Sequence, residues 1–237
     1  MIAAADLWSD ERSLSEYVAQ VRWRLLGDFA ALSPAEPNQY FADGLVRVGP
    51  DEVFVDCGAF TGDTLLDVAR RVTSWREYHA FEPDPVSFAS MQVAVAALPA
   101  PSAGRVHLHR AAASDRPGVA RFNATGMGSA KLSPGGSHEV SCVAIDDVLT
   151  ESPPTFVKMD IEGAKAAALS GSRRAIREGR PLLAVAIYHK QADLWELPLF
   201  VHEIMPEYRM FLRPHAGEGF ETVLYAMPPE RLVDARV

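Results

Sequence analysis

"EVFVDCGAFTGDTLLDVARR", residues 52–71, decides the fold. An apolar run ends on a carboxylate, Asp56. Gly58 and Gly62 follow, and an amphipathic segment opens directly after them. A short apolar run closed by glycine reads as a buried strand, and residues 63–74 read as a helix. In an open α/β sheet, ligands bind beyond the carboxyl ends of the strands. Glycines there let the backbone come close, and the first turn of the helix offers N–H groups. The pattern is D-x-G-x-x-x-G, not G-x-G-x-x-G. A pyrophosphate wants N–H donors and is repelled by a carboxylate in the same turn. Asp56 suits a ligand that carries positive charge.

The rest of the chain extends this pattern. Residues 10–31 read as a helix, with Ser13 and Glu16 as a capping box. "NQYFADGLVRV" (38–48) is a turn-rich bridge. Strand–helix alternation then begins: "YHAFE" with a helix over 84–98, "VHLHRAAA", "TFVKMD" with a helix over 163–178, and "PLLAVAIYH". Residues 119–145 read as extended β around the Gly/Ser-rich "GMGSAKLSPGGS". "ELPLFVHEIM" reads as a short helix, and "YRMFLR" and "TVLYAM" as two final strands. Near-continuous apolar strands between helices predict a mostly parallel sheet covered on both faces. The last two strands predict an antiparallel pair at one edge.

Three further carboxyl-end features sharpen the chemistry. "YHAFEPDP" ends a strand on Glu82, about twenty residues after the glycine turn, where a carboxylate can accept both hydroxyls of a ribose. S-adenosylmethionine (SAM) has that ribose and also a sulfonium and an ammonium, which fits Asp56; NAD has the ribose too, but its anionic pyrophosphate would be repelled by Asp56. "TFVKMDIEGAK" (155–165) ends a strand on Asp160, which can act on a substrate hydroxyl, hold the methionine end of SAM, or, with Glu162, cap the next helix. "AIYHK" (186–190) places His189 and Lys190 just after a strand, and histidine is the usual general base near neutral pH. Asp146, Asp147, Asp160 and Glu162 offer oxygen ligands to a metal. "IDDVL" reads better as a strand end that caps a helix, so no metal is expected.

Composition narrows the classes. The formal net charge is −8 with signs interspersed, which opposes non-specific nucleic-acid binding. No apolar run approaches the roughly 20 residues of a membrane span. "MIAAADLWSDERSLSE" has no basic region before an apolar core, so it does not read as a signal peptide. Cys57 and Cys142 fit no metal or redox spacing and read as buried thiols in a reducing cytoplasm.

At "EVFVDCGAFTGDT", "YHAFEPDP", "TFVKMDIEGAK" and "LLAVAIYHK" with "DLWELP", the chain resembles the FkbM family of SAM-dependent methyltransferases. The resemblance runs over roughly residues 38–228. It implies a Rossmann-like class I methyltransferase fold with seven strands. It also implies methyl transfer from SAM to an acceptor hydroxyl, usually of a glycan or polysaccharide sugar or of a secondary metabolite. By the resemblance, Asp56, Gly58, Phe60, Thr61, Gly62 and Thr64 border the cofactor, Glu82 with Pro83 takes the ribose, Ala113 and Ser114 lie near the adenine, and Asp160 joins the cofactor set. His189 is the expected base, with Asp160 second. The family usually has Glu where this chain has Lys165, and many methyltransferases have glycine where it has Phe60.

The expected organisation is a helical extension or lid over 1–45, with Tyr40 or Phe41 touching the ligand, and a methyltransferase domain over 46–237. Residues 119–139, 190–200 and 212–221 are expected to shape the acceptor pocket. The alternatives are a non-catalytic SAM-binding domain and an NAD-dependent oxidoreductase. The expected partner is a small molecule or glycan, and the edge strands are open to a second copy.

Overall fold

The computed structural model describes residues 1–123, 131–132, 135–136 and 138–232. In chain order the helices are α1 (Ile2–Ala5), α2 (Glu11–Leu26), α3 (Asp63–Arg71), α4 (Pro85–Ala96), α5 (Ala100–Ala103), α6 (Ile145–Val148), α7 (Lys165–Ser170), α8 (Arg173–Gly179) and α9 (Asp193–Ile204). The strands are β1 (Val53–Cys57), β2 (Glu77–Phe81), β3 (Val106–His109), β4 (Ala112–Ala113), β5 (Gly118–Asn123), β6 (Lys131–Leu132), β7 (His138–Val143), β8 (Phe156–Met159), β9 (Leu182–Ala186), β10 (Arg209–Pro214) and β11 (Thr222–Met227). Among the described residues they form a seven-stranded sheet, β10-β11-β9-β8-β1-β2-β3, and a four-stranded sheet, β4-β7-β5-β6. β1 is parallel to β2 and β8, and β2 to β3, while β11 runs antiparallel to β9 and β10. This is the mostly parallel Rossmann-like sheet with a terminal hairpin that the sequence predicts. Every residue of β1, β8, β9 and β11 is buried, as strands covered on both faces require.

The chain divides into two compact units, Met1–Arg47 with Pro181–Val237, and Val48–Arg180. In the second, Phe54 packs between Tyr78 and Phe156, at 5.5 and 5.3 Å between ring centroids. The expected single strand "VHLHRAAA" is split: β3 stays in the large sheet and β4 opens the small one. Phe122, Val140, Cys142 and Ala112 make the small sheet's own core. Most of "GMGSAKLSPGGS" lies outside the described residues. The expected helix over 163–178 is two, α7 and α8. Gly171 between them has no room for a side chain, since a Cβ would stand 2.0 Å from the Ser114 carbonyl oxygen. α8 restarts on Asp146, whose two carboxylate oxygens accept the N–H groups of Arg174 (3.0 Å) and Ala175 (2.8 Å). That use matches the capping reading of "IDDVL".

In the first unit, α2 is capped by Asp10 rather than Ser13. The Asp10 carboxylate accepts the Ser13 N–H at 2.7 Å, and a charged acceptor suits a helix N-terminus better than a hydroxyl. Ser13, fully buried, instead accepts the Leu212 N–H at 2.9 Å and so holds β10. Glu16 takes the Gln20 amide at 2.7 Å. α2 stops at Leu26 because Gly27, at φ +68°, turns its N–H back to Trp23 O. Tyr40 and Phe41 of the bridge are buried in this unit. Cys57 and Cys142 are buried free thiols. Among the described residues no helix is long and apolar enough to cross a membrane.

Candidate functional site

The β1–β2–β8 register sets the first part of the site. Asp56 stands opposite Ala80 on β2 and opposite Lys158 on β8. Both charged residues are buried, at 2% and 4% exposure. The Lys158 ammonium lies 2.8 Å from Asp56 Oδ1, close enough for an ion pair without the alignment of a hydrogen bond. It also donates to the Gly58 carbonyl at 2.6 Å. The buried Tyr78 hydroxyl donates to Asp56 Oδ2 at 2.7 Å. Burial alone would lower the Lys158 pKa, but the Asp56 carboxylate, then Asp160, outweigh it and hold the ammonium above its usual range. Burial and the facing Asp56 push the Tyr78 phenol well up. In this structure the cation that Asp56 holds is therefore Lys158.

The turn after β1 is tied down by backbone. Gly58 sits at φ +79°, and a Cβ on it would stand 2.2 Å from the Asp160 carbonyl oxygen. Its glycine serves the closure of β1 on the end of β8. The N–H groups of Gly58 and Ala59 both donate to Phe81 O, at 3.0 and 3.1 Å. Phe60 occupies φ +47° and donates its N–H to Glu82 Oε2 at 2.9 Å. Glu82 Oε1 accepts the Asp84 N–H at 2.7 Å. Each oxygen keeps a second lone pair. Burial raises the Glu82 pKa, against the two N–H donors that lower it. Thr61 is half-buried within the turn. Gly62, at φ +86°, opens α3. Thr64, in the first turn of α3, has a buried hydroxyl with no hydrogen-bond partner among the described residues. Pro83 is half-buried before Asp84, which caps α4 by accepting the N–H groups of Val86 and Ser87, both at 2.9 Å.

Asp160 is half-buried just after β8, its N–H bonded to Cys57 O at 2.9 Å. Asp56, the 58–64 turn, Glu82 and Asp160 thus gather at the carboxyl ends of three adjoining strands, β8-β1-β2. Ala113 is buried in β4, and Ser114 after it is half-buried, its N–H bonded to Val143 O at 2.8 Å. His189 belongs to the other unit, half-buried beyond β9, with its ring stacked on Tyr188 at 4.0 Å. Lys190 is exposed there. Lys165 is almost fully buried, at 1% exposure, at the start of α7.

Lys158 and Tyr78 are the site residues that the sequence reading passes over. The signal was present in "TFVKMD": a lysine inside a buried strand demands a carboxylate across the sheet.

Comparison with known proteins adds the following. The FkbM methyltransferase domain matches residues 56–217. The crystal structure of an FkbM methyltransferase from Methylobacillus flagellatus is 28% identical with a TM-score of 0.82, over 95% of this chain and 57% of that one. The chain thus spans a little over half the length of that protein. A precorrin-6y C5,15-methyltransferase from Geobacter metallireducens is 12% identical with a TM-score of 0.47, over 76% of this chain and 81% of that one. An rRNA methylase from Streptococcus thermophilus is also 12% identical with a TM-score of 0.47, over 80% and 91%. Neither of these two is near enough to speak to chemistry. No curated protein matches the chain. With the domain match spanning more than half its length, the chain belongs to the FkbM methyltransferase family.

Proposed function

We propose that the protein transfers a methyl group from S-adenosylmethionine to an acceptor hydroxyl, on a sugar of a glycan or polysaccharide or on a secondary metabolite, in the cytoplasm. The observation that carries the cofactor reading is Glu82. Its two oxygens are fixed by backbone N–H groups at 2.7 and 2.9 Å, and each has one lone pair left for a vicinal diol. The buried Thr64 hydroxyl is a second polar group that a ligand would complete. The ammonium and sulfonium fall to Asp160 rather than to Asp56, because Asp56 is closed off by Lys158 and Tyr78.

Bound SAM supplies a methyl group already activated for displacement by its sulfonium. The protein has to align the acceptor and take its proton. Alignment can supply up to about 7–11 kcal/mol, and a general base a factor of roughly 10²–10⁴. His189 is the base of this reading and Asp160 the second candidate. The net charge of −8 favours a small or glycan acceptor over nucleic acid.

Thermal melting with SAM, its demethylated product and NAD tests the reading. A saturable rise with the first two and none with NAD supports it; a rise with NAD alone sinks it. Glu82→Gln should abolish the SAM response, since its amide NH₂ would meet a backbone N–H instead of accepting from it. His189→Ala and Asp160→Asn then address the base. If neither lowers turnover at saturating SAM, the assignment of the base fails.

A further inference from the structure

Within the Val48–Arg180 unit, β2 and β3 carry a cluster that methyl transfer does not use. His79 pairs with His107 and Phe81 with His109 in the parallel register. Alternate residues of a strand share a face, so Glu77, His79, His107 and His109 lie on one side of the sheet. Ser152 donates its hydroxyl to Glu77 Oε1 at 2.7 Å. Glu77 Oε2 lies 2.9 Å from His79 Nε2, and His79 Nδ1 lies 3.2 Å from His109 Nε2. Donor atoms of Glu77, His79 and His107 all fall within 4.8 Å of one another.

We propose that Glu77, His79 and His107 bind a divalent transition ion of the zinc class, with His109 and Ser152 as the groups that orient its ligands. Two imidazoles and one carboxylate are a donor set that borderline ions prefer, whereas magnesium and calcium seek oxygen alone. Bonds of about 2.0–2.2 Å to a tetrahedral ion require the His107 donor to move in and the Glu77 Oε2–His79 Nε2 pair to open from 2.9 Å. The His79 and His107 rings are stacked at 4.6 Å and 21°, so their in-plane lone pairs run side by side and one ring must turn. His107 is exposed and has room to do so, while His79 is buried. When His79 Nδ1–H donates to His109 Nε2, the lone pair of His79 Nε2 is left beside Glu77 Oε2, where the ion would sit. Two of the ligands thus carry the outer partners that metal ligands usually have. β3 is the last strand of the seven-stranded sheet. An ion here would clamp that strand to β2 and stabilise the fold without entering the reaction.

The test uses the full chain, stripped of metal and titrated with zinc or magnesium while bound metal and melting temperature are followed. The expected result is one zinc per chain. At 100 times its dissociation constant, zinc should raise the melting temperature by about 5 °C, and magnesium should give no rise. His107→Ala, at an exposed position, should weaken zinc binding at least tenfold and remove the rise, with Glu77→Gln behaving alike and His138→Ala behaving as wild type. No zinc binding in the wild type, or wild-type affinity in His107→Ala, overturns the proposal. The outcome is independent of any response to SAM.

Discussion

At the scale of single residues, the charge beside the first turn is the structure's clearest demand. A carboxylate and an ammonium, both almost wholly buried, face each other across β1 and β8. Lys158→Met keeps the volume and leaves Asp56 with a buried negative charge held by Tyr78 alone. Removing one partner of such a pair costs about 3–5 kcal/mol. Urea unfolding should show that loss, and adding Asp56→Asn should recover part of it because the orphaned charge is gone. Equal stabilities of wild type and Lys158→Met would mean the pair is not formed. The sequence showed Asp56 and its glycines plainly but not this pairing, since the partner lies about a hundred residues away and only strand register brings the two together. The sequence reading gives Asp56 a cationic ligand, whereas in the fold the cation beside it is the protein's own Lys158.

At the scale of elements, the long apolar strands were legible because continuous burial leaves little choice of period, and the helix starts were legible where an aspartate or proline marked them. The small sheet was legible in part: residues 119–145 read as extended β, where β5 and β7 lie, but β4, two residues long, read as the tail of the preceding strand and joins β7 only by pairing across the sequence. Gly58 and Gly27 separate two effects that sequence alone merges. Both have positive φ, but a Cβ at Gly27 meets nothing within 4 Å, while at Gly58 it meets backbone at 2.2 Å. Gly27→Ala should cost only the left-handed penalty of about 1–2 kcal/mol. Gly58→Ala should cost clearly more and displace the end of β8, seen as a lower denaturation midpoint. Similar losses for the two would show that the approach of Asp160 is loose. The β2–β3 face makes a pH prediction. Burial, then the neighbouring His79 and His107, lower the His109 pKa to about 4 from 6.5. Across that window the unfolded chain binds a proton that the fold refuses, so stability rises with pH. The slope stays below about 1.4 kcal/mol per pH unit because the ring is partly exposed and screened. In metal-free protein, His109→Gln should flatten the slope; an unchanged slope would place the titration elsewhere.

At the scale of the whole molecule, the chain's two ends matter more than a reading from left to right suggests. Met1–Arg47 and Pro181–Val237 form one compact unit, and β10 is held there by groups from the first forty residues. Arg213, at 5% exposure, pairs with Asp10 at 2.6 Å and lies 3.7 Å from Glu36, while Ser13 accepts the Leu212 N–H. A chain that begins at residue 46 loses all three. It leaves a buried guanidinium without its carboxylates, at a cost of about 3–5 kcal/mol, which is a large share of the 5–15 kcal/mol of a typical domain. The expected result is a truncated protein that aggregates or unfolds without a sharp transition. Asp10→Ala in the full chain should lose about 3 kcal/mol, from the helix cap together with the ion pair, while still folding. The same two proteins decide what the N-terminal segment does. If the truncated chain folds, binds SAM normally and loses only affinity for its acceptor, the segment is a lid. If it folds and loses nothing, the segment is dispensable and the contacts with β10 do little. If it fails to fold while Asp10→Ala retains SAM binding at reduced stability, the first forty-five residues are part of the framework that carries β10.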